Sequence, residues 1–197
     1  MKNPRIALIH ATPVAIDPIC ATFRRLWPQA VVTNLLDDSL APDLATAGRL
    51  ELAMINRFCT LAKYVESCGA DAILFTCSAF GPAIEAARAA VKIPVLKPNE
   101  AMIEEALATG PRIALLATFE PSLPSMQAEL EQLAAARRAD ISLVTRAVPS
   151  ALAALQAGDS AGFRFDVAGA GDQDAVRLAI PIRAAFAPRV RTVAGVL

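Results

Sequence analysis

The chain has 197 residues, of which 55% are hydrophobic, so it is long enough and apolar enough to bury a substantial core. Nineteen basic and nineteen acidic residues cancel and are interspersed, and Trp and Tyr each occur once, which argues against a nucleic-acid surface or a polybasic membrane patch. The first apolar run, Ile6 to Ile9, is far too short for a signal peptide or a membrane span, so we expect a cytoplasmic protein.

The elements predicted for the first half of the chain alternate between strand and helix. Strands are predicted over residues 5–9, 30–34, 72–75 and 94–96. Helices are predicted over residues 18–26 and 49–67, from Pro82, and from Asn99 to Thr109, with Asn99 as the cap and with Gly69 ending the longest helix. Such alternation is typical of an α/β fold with a mainly parallel sheet flanked by helices.

The second half begins with a strand, residues 112–118, that repeats the apolar pattern of residues 5–9. A turn containing proline, a long helix to Arg137, a strand over 141–145 and a helix over 150–156 follow. Buried parallel strands all look alike, but the matching order of the following elements favours duplication. We therefore expect two similar α/β lobes, residues 1–110 and 111–197, related by a pseudo-twofold axis, with an active-site cleft between them.

Cys77 stands where the strand 72–75 gives way to a helix, between Thr76 and Ser78. Backbone N–H groups and the positive end of a helix dipole favour a thiolate there and can also hold a substrate carboxylate. This interpretation predicts that Cys77 is alkylated faster at neutral pH than the other three cysteines. The alternative is a small buried core thiol.

Cys59 and Cys68 are predicted to be packing residues rather than catalytic or metal-binding ones. Cys59, Cys68 and Cys77 are spaced by nine residues, which matches no metal-ligand pattern, so we expect no metal site. Disulfides are not expected in a reducing compartment, where Cys20, Cys59 and Cys68 would remain free.

Four segments together resemble the aspartate/glutamate/hydantoin racemase superfamily, which also contains arylmalonate decarboxylase and maleate isomerase. They are Ile6 to Pro13, Thr76-Cys77-Ser78, Pro94-Val95-Leu96 and Ile113 to Thr118, and the resemblance extends over residues 4–157. It implies cofactor-free chemistry on a small carboxylate-bearing substrate. One thiolate removes the proton from the carbon next to the carboxylate, and a second thiol, from the other lobe, delivers a proton to the opposite face. A dry pocket rich in hydrogen-bond donors must stabilise the charge that develops.

The resemblance also assigns roles to residues of this chain. It makes Cys77 the acid/base of the first lobe, with Thr76 and Ser78 beside it at the strand end. The polar loops after the two repeated strands, where a substrate carboxylate would be bound, hold three further residues: His10, Thr12 and Thr118. The oligomeric state stays open, with a homodimer as one possibility.

Structural alternatives exist for the polar residues. His10 either satisfies backbone groups at a strand end or, as a neutral imidazole, tunes the Cys77 thiolate. Thr12 precedes Pro13 and can be a turn residue. Asp37 and Asp38 are expected to be solvated turn residues, and Lys97 to be a surface lysine rather than a partner of the substrate carboxylate.

The sequence departs from the superfamily pattern in its second half. No cysteine follows Cys77, and the two ways of aligning the repeats place Arg183 or Ala184 at the equivalent position, neither of which can transfer a proton at neutral pH. From about residue 160 the helical period stops, and short strands are predicted over 176–182 and 190–197. Either divergence of the sequence or a change of reading frame near residue 160 would explain this loss of the superfamily pattern.

Three other functions therefore stay open beside an amino-acid racemase. A decarboxylase of the arylmalonate type needs only one thiol, because loss of CO₂ generates the enediolate. A carboxylate-binding protein without activity, or a truncated homologue, needs none. A flavodoxin-like nucleotide binder is disfavoured, since neither glycine fingerprint, G-x-G-x-x-G or G-x-x-x-x-G-K, occurs.

Overall fold

The structure is a computed structural model that describes residues 3–156, 162–167 and 176–181. Its first half contains β1 (Arg5–His10), α1 (Ile16–Leu26), β2 (Val31–Leu36), α2 (Leu40–Ala47), α3 (Leu52–Ser67), β3 (Ala72–Phe75), α4 (Gly81–Ala90), β4 (Val95–Leu96) and α5 (Glu100–Thr109). Apart from α2, which was not predicted, these elements follow the predicted order. The remaining elements are β5 (Arg112–Ala117), α6 (Leu123–Ala136), β6 (Ser142–Ala147), α7 (Pro149–Gln156), β7 (Gly162–Val167) and β8 (Val176–Pro181).

The first four strands form a parallel sheet in the order β2-β1-β3-β4. β1 lies in the interior of this sheet, with Ile6 to Ile9 in register with Ala72 to Phe75 of β3, whereas the repeated strand 112–117 lies in a two-stranded sheet. Because all four strands are parallel, their carboxyl ends lie at one edge of the sheet. Chain segments that leave these ends therefore come together at that edge, where α/β proteins build their sites.

The main core lies between one face of this sheet and the helices α2, α3 and α4. Alternate strand residues, including Ala7, Ile9, Ile73 and Phe75, point to this face because side chains alternate along a strand. Phe58 of α3 is 1% exposed and packs against the rings of Phe75 and Phe80, with centroids 4.9 and 4.8 Å away. Phe75 precedes Cys77 and Phe80 follows it, so the core holds this segment at both ends.

The second half repeats the opening of the first. β5 is followed by a 3₁₀ turn (Glu120–Ser122), by α6 and by the parallel strand β6, just as β1 is followed by the turn Pro13–Ala15, α1 and β2. Both parallel pairings begin at the matching arginine, Arg5 or Arg112. This common order is consistent with the predicted duplication. The helix α5 packs on the second repeat, since Ile103 and Ala106 share a cluster with Ile113 and Leu130, and the lobe boundary at residue 110 stays a prediction.

The C-terminal part carries one further pair of strands. β7 and β8 are antiparallel, and β8 corresponds to the strand predicted over 176–182. The strand predicted over 190–197 lies outside the described residues. Among the residues that the structure describes, no helix is both long enough and apolar enough to cross a membrane.

Candidate functional site

Cys77 follows β3 at the carboxyl edge of the parallel sheet, as predicted from the sequence. It occupies the N-cap of a 3₁₀ turn, Ser78–Phe80, and α4 begins directly after that turn at Gly81. The turn lies against α6 and against the Glu120–Ser122 turn of the second repeat. Phe119, from the loop after β5, packs on the same hydrophobic cluster as Cys77. Cys77 therefore lies where the two repeats meet.

The protonation state of Cys77 differs from the one expected at a helix N-terminus. Burial raises the pKa of the Cys77 thiol to about 11, and the hydrogen bond with the backbone N–H of Ala79 opposes this only in part. The expectation of a favoured thiolate is therefore wrong for the protein without substrate. The physical reason is distance: α4 starts four residues after Cys77, and the effect of a helix dipole falls off within its first turn. Cys77 is half-buried and packs against the core, and with its pKa raised in this way the resting thiol is protonated at neutral pH.

His10 lies at the end of β1, fully buried, and both of its ring nitrogens have side-chain partners. Nδ1 is 2.8 Å from the hydroxyl oxygen of Thr76, and Nε2 is 3.0 Å from Oδ1 of Asn34. The structure thus brings together His10 and Thr76, two of the predicted site residues, from neighbouring strands. It rules out the predicted alternative in which His10 merely satisfies backbone groups. Both ring nitrogens are hydrogen-bonded to other side chains, so His10 is connected to Cys77 only through Thr76, the residue that precedes Cys77 in the chain.

The hydrogen-bond partners define the tautomer of His10. The amide oxygen of Asn34 accepts only, so Nε2 carries the proton and Nδ1 accepts from the Thr76 hydroxyl. Burial lowers the pKa of His10, and the bond with Asn34 opposes this shift. His10 is therefore a neutral imidazole at physiological pH, hydrogen-bonded to the Thr76 hydroxyl.

The other predicted binding residues lie in the expected loops. Thr12 is the N-cap residue of the turn Pro13–Ala15, and its side chain makes no capping hydrogen bond. Ser78 opens the turn after Cys77, and Thr118 directly follows β5. All three side chains are half-buried. Their contact with a substrate stays a prediction.

Two residues that sequence reasoning missed contribute to this region. Asn34 accepts from His10 and, at 3.4 Å, from the thiol of Cys20. Its signal was present, since it is the amide-bearing residue in a strand whose other residues are apolar except for Thr33. Ser125 of α6 accepts a hydrogen bond from the backbone N–H of Gly81 at 3.1 Å, and nothing in the local sequence marks it.

A cavity of about 290 Å³ lies between α1 and β2. Aromatic and apolar side chains line it together with Cys20, Arg24 and Asn34. Cys77 is not part of this lining, so the cavity is not the cleft predicted between the lobes, and that cleft stays a prediction.

In the structure, Asp37 and Lys97 form ion pairs with other side chains. Burial alone would raise the pKa of Asp37, but hydrogen bonds from Ser39 and Arg57 outweigh it and lower that pKa. Lys97 is 13% exposed and pairs with Glu85 and Glu129, so it is not the surface lysine expected. Nowhere in the part of the chain that the structure describes do three or more His, Cys, Asp or Glu residues come together as metal ligands.

Comparison with solved structures shows the fold that the chain shares. A glutamate racemase from Francisella tularensis subsp. tularensis SCHU S4, solved with D-glutamate, aligns over 83% of this chain and 60% of its own, with 14% identity and a TM-score of 0.63. An aspartate racemase from Picrophilus torridus aligns over 72% and 62%, with 18% identity and a TM-score of 0.52. An arylmalonate decarboxylase aligns over 76% and 66%, with 17% identity and a TM-score of 0.51.

This chain thus spans 60 to 66% of the length of these three proteins. A search by sequence among curated proteins found no match. The family model for Asp/Glu/Hydantoin racemase, by contrast, matches residues 16–174, which is well over half of the chain and includes Cys77. The chain therefore belongs to the Asp/Glu/hydantoin racemase family.

Proposed function

We propose that this protein transfers a proton at the carbon next to a carboxylate, without a cofactor, as an amino-acid racemase of the Asp/Glu/hydantoin type. The observation that carries the proposal is the position of Cys77 within the matched family region. It lies at the carboxyl edge of the parallel sheet, beside the His10–Thr76 pair and against the second repeat.

Cys77 is the proposed acid/base. Its thiol is protonated at rest, because burial raises its pKa to about 11. A protonated thiol is suited to deliver a proton to an enediolate, and it becomes a base only after it has lost that proton. In the racemase cycle, a base takes the α-proton and the electron pair of the C–H bond passes into the enediolate. Cys77 then delivers its proton to the opposite face of the same carbon, and Cys77 and the base, which no later cysteine of this sequence supplies, exchange their protons with solvent before the next turnover.

The remaining residues have supporting roles in this proposal. The N–H groups of the turn Ser78–Phe80 would hold the substrate carboxylate, since the Gly81 N–H at the start of α4 already donates to Ser125 and Pro82 has none. Thr76 and Ser78 flank the thiol, and His10 fixes the Thr76 hydroxyl. Thr12 and Thr118, at the carboxyl ends of β1 and β5, would contact the carboxylate from the two repeats.

A second candidate is a single-thiol decarboxylase of the arylmalonate type. Two observations favour it: the resting thiol is protonated, and no cysteine follows Cys77 in this sequence. In that reaction the bond between the α-carbon and one carboxylate breaks, CO₂ leaves, and its electron pair forms the enediolate. Cys77 then gives its proton to one face and regains it from solvent.

Incubation of each enantiomer of aspartate and glutamate in D₂O tests the proposal, with deuterium uptake and optical rotation followed together. We expect uptake at the α-carbon that disappears in C77A and persists in C68S, which replaces an exposed cysteine. Uptake with inversion would require a second acid/base opposite Cys77. One-faced uptake with retention, together with CO₂ release from phenylmalonate, would support the decarboxylase. Absence of both uptake and decarboxylation would refute proton transfer at this carbon.

A further inference from the structure

Helix α6 of the second repeat presents two polar residues to the segment that carries Cys77. Ser125 and Glu129 are four residues apart, so they lie on one face of the helix. Ser125 accepts from the N–H of Gly81, the first residue of α4, at 3.1 Å. Glu129 lies 3.2 Å from the ammonium group of Lys97 and 3.3 Å from the amide nitrogen of Asn99. Together these form the α6 contact, defined by Ser125, Glu129, Gly81, Lys97 and Asn99.

The α6 contact is buried and connected to its surroundings. The side chains of Lys97 and Glu129 are 13% and 12% exposed, and Asn99 is 1% exposed. Lys97 also pairs with Glu85 of α4 at 2.5 Å, so one ammonium group joins α4 to α6. Arg88 pairs with Glu85 and with Glu100, so the Glu85 carboxylate is also linked to the start of α5. Buried polar groups that lose a partner are costly, so this arrangement disfavours separation of the two repeats.

The geometry at Gly81 shows how closely the two repeats approach. A Cβ atom at position 81 would lie 2.6 Å from the hydroxyl oxygen of Ser125. Only three residues, Ser78 to Phe80, separate Gly81 from Cys77, and this turn lies against α6. A shift of α6 away from α4 would therefore open the turn beside the thiol to water.

We infer that Ser125 and Glu129 are positioning residues for the Cys77 site. They seat α6 on the turn after Cys77 and thereby set how completely its thiol is shielded from water. The inference rests on the proposed function, in which Cys77 transfers the proton, but its test needs no substrate. If Cys77 proves to transfer no proton, the alkylation test would still show whether Ser125 and Glu129 shield its thiol from water.

The test is the rate at which iodoacetamide alkylates each cysteine, read by mass spectrometry as a function of pH. S125A removes the acceptor of the Gly81 N–H, and E129Q removes the negative charge that pairs with Lys97. The matched control is E131Q, the same chemical change at an exposed residue of the same helix. Cys59 of α3 serves as an internal reference in every sample, because it is half-buried and lies outside the α6 contact.

In S125A and E129Q we expect the apparent pKa of Cys77, taken from the pH profile, to fall from the wild-type value. Water that reaches the sulfur stabilises the thiolate, and each unit of that fall raises the thiolate fraction at neutral pH about tenfold. K97M should act in the same direction as E129Q, because it removes the ammonium partner. E131Q should match the wild type, and the Cys59 rate should stay constant throughout.

Two results would overturn the inference. One is a Cys77 profile in both S125A and E129Q that coincides with that of E131Q. The other is an equal acceleration of Cys59 and Cys77, which would show general loosening rather than a role in positioning the thiol. If either variant fails to fold, K97M still tests the Glu129 half of the α6 contact by the same profile.

Discussion

At the scale of single residues, burial decides the charge state of both titratable groups at the sheet edge. Cys77 is kept as a thiol and His10 as a neutral imidazole, because a charged form in an apolar environment loses its hydration. The site is therefore uncharged before substrate binds. In the proposed reaction, the carboxylate of the substrate would meet the N–H groups of the turn Ser78–Phe80.

The first prediction concerns the order in which the cysteines react. Because the pKa of Cys77 is about 11, its alkylation rate should keep rising with pH up to about that value, and at neutral pH it should be slower than that of the exposed Cys68. Iodoacetamide labelling with mass spectrometry from pH 7 to pH 10 measures both rates. A Cys77 rate that exceeds the Cys68 rate at neutral pH, or that stops rising near pH 8, would show that the thiolate is favoured after all.

The second prediction concerns acid sensitivity through His10. Burial lowers the pKa of His10 in the folded protein, so below the ordinary value near 6.5 the unfolded chain binds a proton that the folded chain does not. The free energy of unfolding should be fully retained above that pH and fall as the pH decreases below it. For one proton, the slope has an upper limit of about 1.4 kcal/mol per pH unit.

Urea unfolding at a series of pH values from 7.5 to 5.5 measures this dependence. The matched variant is H10Q, whose amide can donate and accept but does not titrate in this range. It should be less stable than the wild type at pH 7.5 and should lose the His10 part of the slope. A wild-type protein whose stability is constant across this range would contradict a buried neutral His10.

At the scale of elements, local sequence patterns predicted most strands and helices of the fold, but not every helix. The predicted strands and the long helix α3 depend on hydrophobic periodicity within one segment, and they appear within a few residues of their expected bounds. The helix α2 was missed because it has only eight residues and buries only Leu40 and Leu44, one pair at helical spacing. Pro42 lies in its first turn, where a proline is tolerated.

The candidate site was predictable only as far as topology determines it. The parallel alternation of strands places His10, Thr76 and Cys77 at one edge, and the structure has them there. Their partners come from tertiary contacts that no local pattern shows. Asn99 illustrates this, since it occupies the expected N-cap of α5, yet its side chain binds Glu129, 30 residues later, instead of capping the helix. The raised pKa of Cys77 has the same origin, because burial is a property of the packed fold.

At the scale of the whole molecule, the two repeats are joined by an apolar and a polar contact. Phe119 of the second repeat packs on the core cluster of the first, and Ser125 and Glu129 of α6 bind Gly81, Lys97 and Asn99. The apolar contact gives affinity without direction, whereas the polar contacts require defined geometry. The relative position of the repeats therefore depends on the contacts of Gly81, Lys97 and Asn99 with α6, and on apolar packing that also includes α5.

The last prediction measures this dependence through Gly81 and Ser125 together. Gly81 has an ordinary helical backbone, with φ −46°, so alanine would by itself favour the folded state there by about 0.5–1 kcal/mol. In the wild-type background its Cβ meets Ser125 Oγ at 2.6 Å, which forces the hydroxyl away and removes the Gly81 N–H bond, at a cost of about 1 kcal/mol. In an S125A background that collision is absent, because the next atom, the Ser125 Cβ, is 4.0 Å away.

Urea unfolding of the wild type, G81A, S125A and the double variant should therefore give a coupling energy of about 1 kcal/mol, with G81A better tolerated when Ser125 is alanine. G81A in an E131Q background serves as the control and should behave as it does in the wild type, because Glu131 is an exposed residue of the same helix. Additive effects of G81A and S125A would mean that the two repeats do not meet at this point, and the placement of α6 against the Cys77 turn would have to be abandoned.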